Sequence, residues 1–391
     1  MASTNKTGSL FRDLPPTRSF PSGYQPRRPK HLSVERIVLA KGSVAAPERR
    51  RFVERICAVY SDAERIEQLD VPHNRVQLGK LSPLARHDAG KRTLVFGEHR
   101  SAVRFSEEEG NTCPNYWHFS PTGFCPYGCD YCYLAGTASV WHSPAIRIYV
   151  NLPEVVGEID RTARRLGRPT AFYLGKLQDG LALDPLTAYS TVLVPFFAGH
   201  PFARQVLLTK SAEVERLIGL EHNGHTILSW SLNPPEVARA FESNTPPVEQ
   251  RLAAMQSCAD AGYPVRAVLM PLIPVANWEA IYADFTRRLL RTVSLTRLTL
   301  GGICSYRRAR WLMEQKLGRG NVISQSMQAD RASGDGRMRY PQELRVRMYR
   351  AIIRTARSIR PDIPVALCLE EPPVWDALGL GASRGRCNCV L

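Results

Sequence analysis

The chain has 391 residues and a formal net charge of +16, from 52 Lys plus Arg against 36 Asp plus Glu. This length supports two or three domains, or one barrel-like domain with extensions, and the composition is globular. The ten cysteines are too few and too scattered for a disulfide scaffold, no stretch is apolar for long enough to cross a membrane, and the basic N-terminus lacks the apolar core of a signal peptide, so a reducing, cytoplasmic setting is expected. Excess positive charge attracts phosphate backbones and makes DNA an expected partner; a generally basic soluble protein is the alternative.

Residues 1–30 are rich in Pro, Ser, Thr and Arg and read as a flexible basic arm. Residues 31–112 read as an N-terminal α/β region. A strand is expected over 36–40 and a helix over 47–60, with Phe52, Val53, Ile56 and Val59 inward; two further strands fit 92–96 and 102–105. The run Ser106-Glu107-Glu108-Glu109-Gly110 then marks a boundary.

Residues 115–119 read as a strand that leads into a loop carrying Cys125, Cys129 and Cys132, spaced C-x3-C-x2-C. Three thiolates on one short loop can hold one iron-sulfur cluster, and with no fourth cysteine at matching spacing one iron is left open to a further ligand. A zinc site completed by a distant residue such as His118 or His142, or three packed thiols, are the plainer alternatives.

Next come a strand over 145–151 and a helix over 154–166. Short apolar strands then alternate with helices: 170–174, 205–209, 226–232, 265–270 and 297–300. Such alternation predicts βαβ units in a parallel sheet, about six of them, closing into a partial barrel whose chemistry gathers at the C-terminal strand ends. Residues 113–320 are assigned to this barrel. Residues 321–391 form a C-terminal extension. Within it, 321–338 reads as a loop or linker, 341–360 as a helix with Arg345 and five further arginines outward, and 364–369 as a strand. The end, Arg386-Cys387-Asn388-Cys389-Val390-Leu391, reads as a small flexible tail, its two cysteines being a chelating or redox pair or thiols without function.

The cysteine loop, with Tyr131 before its last cysteine, resembles the cluster loop of the radical S-adenosylmethionine (SAM) enzymes. Beyond it, CDYCYL at 129–134, IRIYVNL at 146–152, LLTKSAEV at 207–214, SLN at 231–233, FESNTPPVEQRLAA at 241–254 and AGYPV at 261–265 together resemble the spore photoproduct lyase family. The resemblance implies an α/β fold, a partial (β/α)6 TIM-like barrel of the radical SAM type with an N-terminal α/β extension and a C-terminal helical and strand extension. It implies an enzyme that uses a 4Fe-4S cluster and SAM to make a 5'-deoxyadenosyl radical for repair of a thymine-dimer-type DNA lesion, with a reductant such as flavodoxin or ferredoxin. Carried over, Cys125, Cys129 and Cys132 are the expected cluster ligands, Lys210 and Ser231 the residues that hold SAM, and Tyr131 and Tyr133 the tyrosines near SAM that take part in radical return.

One departure stands out. The family's hydrogen-donor cysteine follows the strand that here reads Ala171-Phe172-Tyr173-Leu174-Gly175-Lys176-Leu177-Gln178-Asp179, which has no cysteine. Cys304, Cys368, Cys387 and Cys389 are the candidate replacements, the last two if the tail folds back. The same radical chemistry on another nucleic acid, a peptide or a small molecule is the second reading, and a zinc-containing nucleic-acid-binding protein the third.

Overall fold

Two sheets frame the computed structural model, which describes residues 20–21, 23–107, 113–329 and 336–391. The run Arg36-Ile37-Val38-Leu39-Ala40 forms β1 (Arg36–Ala40), buried at its last four positions as a strand covered on both faces must be. β2 (Glu64–Gln68), β3 (Thr93–Gly97), β4 (Val103–Ser106), β5 (Tyr116–Phe119) and β6 (Ile146–Tyr149) follow. The first sheet runs β2-β1-β3-β6 in parallel and ends on the short antiparallel segment Thr122–Gly123. The helix Pro47–Cys57 packs on it through Phe52, Val53 and Ile56.

The second sheet holds β7 (Thr170–Leu174), β8 (Ala203–Thr209), β9 (Thr226–Ser231), β10 (Val265–Leu269), β11 (Arg297–Leu300) and β12 (Val365–Leu367). Its order is β12-β11-β10-β9-β8-β7-β5-β4, parallel throughout except for β4 at the edge. Alternation along each strand sorts side chains to two sides. Phe172 and Leu174 of β7 join the large core under the helices. Ala171 and Tyr173 of the same strand face the inside of the barrel, with Tyr116, Val206 and Ile227. The helices Leu152–Leu166, Ser190–Gly199, Val248–Asp260, Trp278–Thr292 and Gln342–Ile359 return the chain between strands, as parallel pairing requires. All C-terminal strand ends therefore point to one mouth. Among the described residues no helix is long and apolar enough to cross a membrane.

Three expectations are corrected. Of the supposed flexible arm, residues 1–19 and 22 lie outside the described residues, but Tyr24 to Lys30 packs on the body: the Tyr24 hydroxyl donates to Leu186 O at 3.0 Å and the Arg28 guanidinium lies 5.0 Å from the Tyr60 ring centroid. The 321–338 linker instead enters a small antiparallel sheet, in which Arg337–Arg339 pairs with Cys304–Tyr306 on one side and with Gln328–Ala329 on the other; polar composition hid these short strands, and the first of these partners is distant in sequence. Arg345, expected outward, is buried: it donates to Tyr340 O at 3.0 Å, to Glu371 Oε2 at 2.9 Å and to Glu370. Helical spacing puts 345 on the same face as Met348, Tyr349 and Ile352, and the two carboxylates make its burial tolerable.

The tail expected to be flexible is also fixed. Its carbonyls are gripped inside the barrel by two arginines, Arg266 of β10 and Arg297 of β11, and Cys387 and Cys389 are buried.

Candidate active site

The loop after β5 lies across the barrel mouth. Phe124 adopts φ +61°, and its N–H donates to Leu177 O at 3.1 Å, which ties the loop to the chain leaving β7. The Lys91 ammonium donates to Cys125 O at 2.5 Å and to Tyr127 O at 2.7 Å from outside the barrel. Cys129 pairs with Glu242 in a two-residue antiparallel bridge, and Asp130 N–H donates to Phe241 O at 3.0 Å. Three separate parts of the chain thus hold the loop.

A cavity of about 190 Å³ opens between this loop and the strand ends. Cys125, Cys129 and Cys132 form one wall; Tyr131, Tyr133, Lys210, Ser231 and Cys304 border the same space. The structure therefore brings together the predicted loop, both polar residues at strand ends and one of the four candidate thiols. Cys368, Cys387 and Cys389 do not line the cavity.

The three thiols fit an anionic cluster. Burial raises the Cys125 thiol above its ordinary range and pushes Cys129 up to about 12, opposed by Lys91 at the first and Lys210 at the second. In the metal-free chain both therefore keep their protons, and loading releases them. Burial lowers Lys91, and thiolates formed at the three cysteines on loading would raise it, so its ammonium stands where a cluster with three thiolates would place negative charge. Among the described residues no three His, Cys, Asp or Glu side chains converge as ligands of a single ion would.

Behind Tyr131 lies a buried polar network that the sequence did not reveal. The Tyr131 hydroxyl donates to Glu242 Oε1 at 2.5 Å, Arg251 Nη1 donates to Glu242 Oε2 at 2.6 Å, and Asn233 Nδ2 donates to Oε1 at 3.0 Å. Tyr282 fixes Asn233 with a 2.7 Å bond to its Oδ1. Burial alone would raise the Glu242 carboxyl, but Lys210 and Arg251 overcome it and hold the group at about 2. Both residues lie in the FESNTPPVEQRLAA stretch, nine positions apart across a Pro-Pro break. A Glu and an Arg so placed signal a folded-back ion pair, and that signal was available.

Lys210 and Ser231 are in contact. The Lys210 ammonium donates to Ser231 Oγ at 2.5 Å and lies 3.7 Å from Glu242 Oε1 and 5.8 Å from the Tyr131 ring centroid. Asp179 sets the backbone here: its carboxylate accepts from Thr209 Oγ1 at 2.6 Å and from the N–H of Lys210 at 2.6 Å. The result is a cationic and hydroxyl corner facing the cysteine wall, chemistry suited to a carboxylate and hydroxyl-bearing ligand.

The stretch after β7 that lacks a thiol is closely packed at its first residue. A Cβ on Gly175 would stand 2.7 Å from Leu208 Cβ, so no side chain fits there. Lys176 turns to Ser106 Oγ, and its backbone carbonyl accepts from the Tyr133 hydroxyl.

The sequence model of the family described as spore photoproduct lyase matches residues 51–300, more than half of the chain. The chain is 29% identical over 221 residues to the spore photoproduct lyase of Bacillus subtilis (strain 168), covering 56% of this chain and 62% of that protein. It is 24% identical over 234 residues to that of Clostridium acetobutylicum, covering 57% and 67%. The match thus spans less than two thirds of the Bacillus protein. In fold it is similar to a spore photoproduct lyase variant solved with bound AdoMet and dinucleoside spore photoproduct, with a TM-score of 0.75 at 23% identity over 86% of this chain and 99% of the other. A further structure, of the lyase complexed with dinucleoside spore photoproduct, gives 0.75 at 23% over 87% and 100%. The cysteine loop and the strand-end lysine and serine lie within the matched residues 51–300, and the chain belongs to the spore photoproduct lyase family.

Proposed function

We propose that this chain is a radical SAM lyase that repairs a thymine-dimer lesion of the spore photoproduct type in DNA. One observation carries the reading: Cys125, Cys129 and Cys132 share a single cavity with Tyr131, Lys210 and Ser231 in a member of this family. The two relatives named above are spore photoproduct lyases, and structural relatives hold AdoMet and dinucleoside spore photoproduct. A 4Fe-4S cluster on the three cysteines together with SAM supplies, when bound, a radical able to take hydrogen from carbon.

The chain's own residues do the rest. Lys210 and Ser231 receive the polar groups of SAM, and Tyr131, pinned by Glu242, keeps a flat wall beside it. The returned hydrogen comes from Cys304, the one candidate thiol on the cavity wall, whose strand packs on the turn Tyr133–Gly136. That turn sits close: a Cβ on Gly136 would lie 2.8 Å from Tyr306 Cβ. The net charge of +16 supports DNA as the macromolecular partner, a flavodoxin or ferredoxin is the fitting reductant, and the cytoplasm is the fitting place for both.

The test is anaerobic reconstitution with iron and sulfide, then dithionite reduction with SAM and dinucleotide spore photoproduct. The expected result is 5'-deoxyadenosine together with restored thymine, and loss of both in Cys125→Ala. Cleavage of SAM with the dinucleotide untouched would overturn the substrate.

A further inference from the structure

The inside of the barrel, below the cavity, is filled by the tail and not by strand side chains alone. Arg266 Nη1 donates to Asn388 O at 3.1 Å and to Val390 O at 2.6 Å; Arg297 Nη1 donates to Cys387 O at 2.8 Å. Ser229 of β9 donates to Asn388 Oδ1 at 3.0 Å. Two guanidiniums are drawn inside the fold for this purpose, and burial lowers Arg266 to about 9. Such burial is costly; main-chain carbonyls accept from both cations here, while Arg266 Nε keeps no hydrogen-bond partner among the described residues. Packing alone would be served by an apolar tail without buried charge.

What the tail delivers is sulfur. Cys387 and Cys389 pack in one cluster with Tyr173, Tyr116 and Val206, and Cys113 is hydrogen-bonded to Cys387. Besides burial, the field at the Tyr173 phenol is set by Cys389, Tyr133, Cys368 and Cys387, so one tyrosine lies among three thiols and the tyrosine of the cavity wall. Tyr173 also meets Tyr116 edge-on, with centroids 5.9 Å apart. Leu208 both borders the cavity and packs on the tail cluster, so the two spaces share a wall. Tyr133 is bonded to Lys176 O, three residues along the chain from Tyr173.

We propose that Tyr173 and the thiols of Cys387 and Cys389 form a hydrogen-atom store beneath the cavity, which lends the wall residues a hydrogen atom after Cys304 has given up its own and holds the unpaired electron away from the substrate until it is taken back. This rests on the repair reading above. The step is balanced: the Cys304 thiyl gains a hydrogen atom as the Tyr133 O–H breaks, Tyr133 regains one from Tyr173, and Tyr173 regains one from Cys389. Each transfer moves one proton with one electron, breaks one O–H or S–H bond and forms another. The unpaired electron rests on tail sulfur and returns by the reverse steps to Cys304, where the hydrogen atom first taken from the lesion is handed back and ends the cycle, so the reaction is redox-neutral and no outside reductant is consumed. These are positioning and relay residues; the substrate meets Cys304.

The experiment compares the loaded wild-type chain with the Cys387→Ser/Cys389→Ser double variant and with Tyr173→Phe, on dinucleotide spore photoproduct. Products are counted in the first turnover and over many, and freeze-quenched samples are read by electron paramagnetic resonance. The store predicts that repair in the variants stops after the first turnover, and that the tyrosyl signal of the wild type is lost in Tyr173→Phe. Equal numbers of turnovers in wild type and double variant would overturn it. As a check that does not depend on activity, alkylation of the metal-free chain is followed by mass spectrometry. Cys387 and Cys389 are expected to resist labelling and to react once Arg266→Ala loosens the tail; rapid labelling of both in the wild type would also overturn the proposal. Failure of the wild type itself to restore thymine, with SAM cleaved, would instead sink the repair reading, and the store would fall with it.

Discussion

Tyr131 and Glu242 are joined by a 2.5 Å hydrogen bond across the rim of the cysteine loop, and the carboxylate that accepts it is the buried counter-ion of Arg251. The aromatic that precedes the last cysteine of the loop is thus held by a charge pair more than a hundred residues away. Replacing the acid by its amide, Glu242→Gln, keeps the shape and removes the charge. Arg251 then keeps its bonds to Pro246 O, Ser231 O and Thr245 Oγ1 but is left buried without a counter-ion, and the expected cost is about 3–5 kcal/mol in urea unfolding. A change within a few tenths of the wild-type value would mean that the pair does not support the loop.

Acid sensitivity follows from the same carboxylate. Glu242 sits at about 2 in the folded chain against an ordinary value of 4.5, because Lys210 and Arg251 outweigh burial. A carboxyl lowered on folding contributes stability that is fully present above the unfolded value and lost as pH falls. Roughly 3 kcal/mol should therefore disappear between about pH 4.5 and about pH 2. The measurement is unfolding free energy against pH, and Glu242→Gln should flatten the curve over that window.

Lys210→Met tests the cationic corner. The ammonium bonds Ser231 Oγ and borders the cavity with the cysteine wall, so its loss would remove the charge-assisted contact proposed for SAM while leaving the aliphatic stem. SAM affinity of the cluster-loaded chain should fall roughly 10- to 100-fold. Iron content should remain at the wild-type level; equal SAM affinity would remove Lys210 from the site.

Cys304→Ala separates starting the radical from ending it. 5'-Deoxyadenosine should still form, whereas restored thymine should fall roughly tenfold or more, as for a group used only in the reacting step. Chromatography of both products from one reaction decides the matter. Full repair would place the hydrogen donor elsewhere.

How much of this could be read in advance depended on how local each signal was. β1, β7 and β11 begin and end where their short branched and aromatic runs predict, because each carries its own pattern. The cysteine loop was equally legible: its chemistry lies in spacing over eight residues. Glu242, Arg251, Asp179 and Lys91 were not assigned roles, since their function is to meet groups that only the closed barrel brings near. Arg345 misled for another reason: position placed it inward and residue type outward, and its partners Glu370 and Glu371 come from the chain after β12. The tail has no periodicity at all, and only an interior lined by Arg266, Arg297 and Ser229 gives it a place.

The path of the chain between the two sheets has a consequence for how the protein comes apart. β4 belongs to the barrel sheet although it follows β3 directly, and β6 belongs to the first sheet although it follows the cysteine loop. The two layers are therefore laced through each other and share one stretch of backbone. Cutting between β4 and β5 would deprive each product of a strand that the other carries, so neither piece is expected to be recovered as a folded species. Heat or denaturant should accordingly melt both layers in one cooperative event, and the cysteine loop, which sits in the lacing itself, should lose its cluster at that same midpoint.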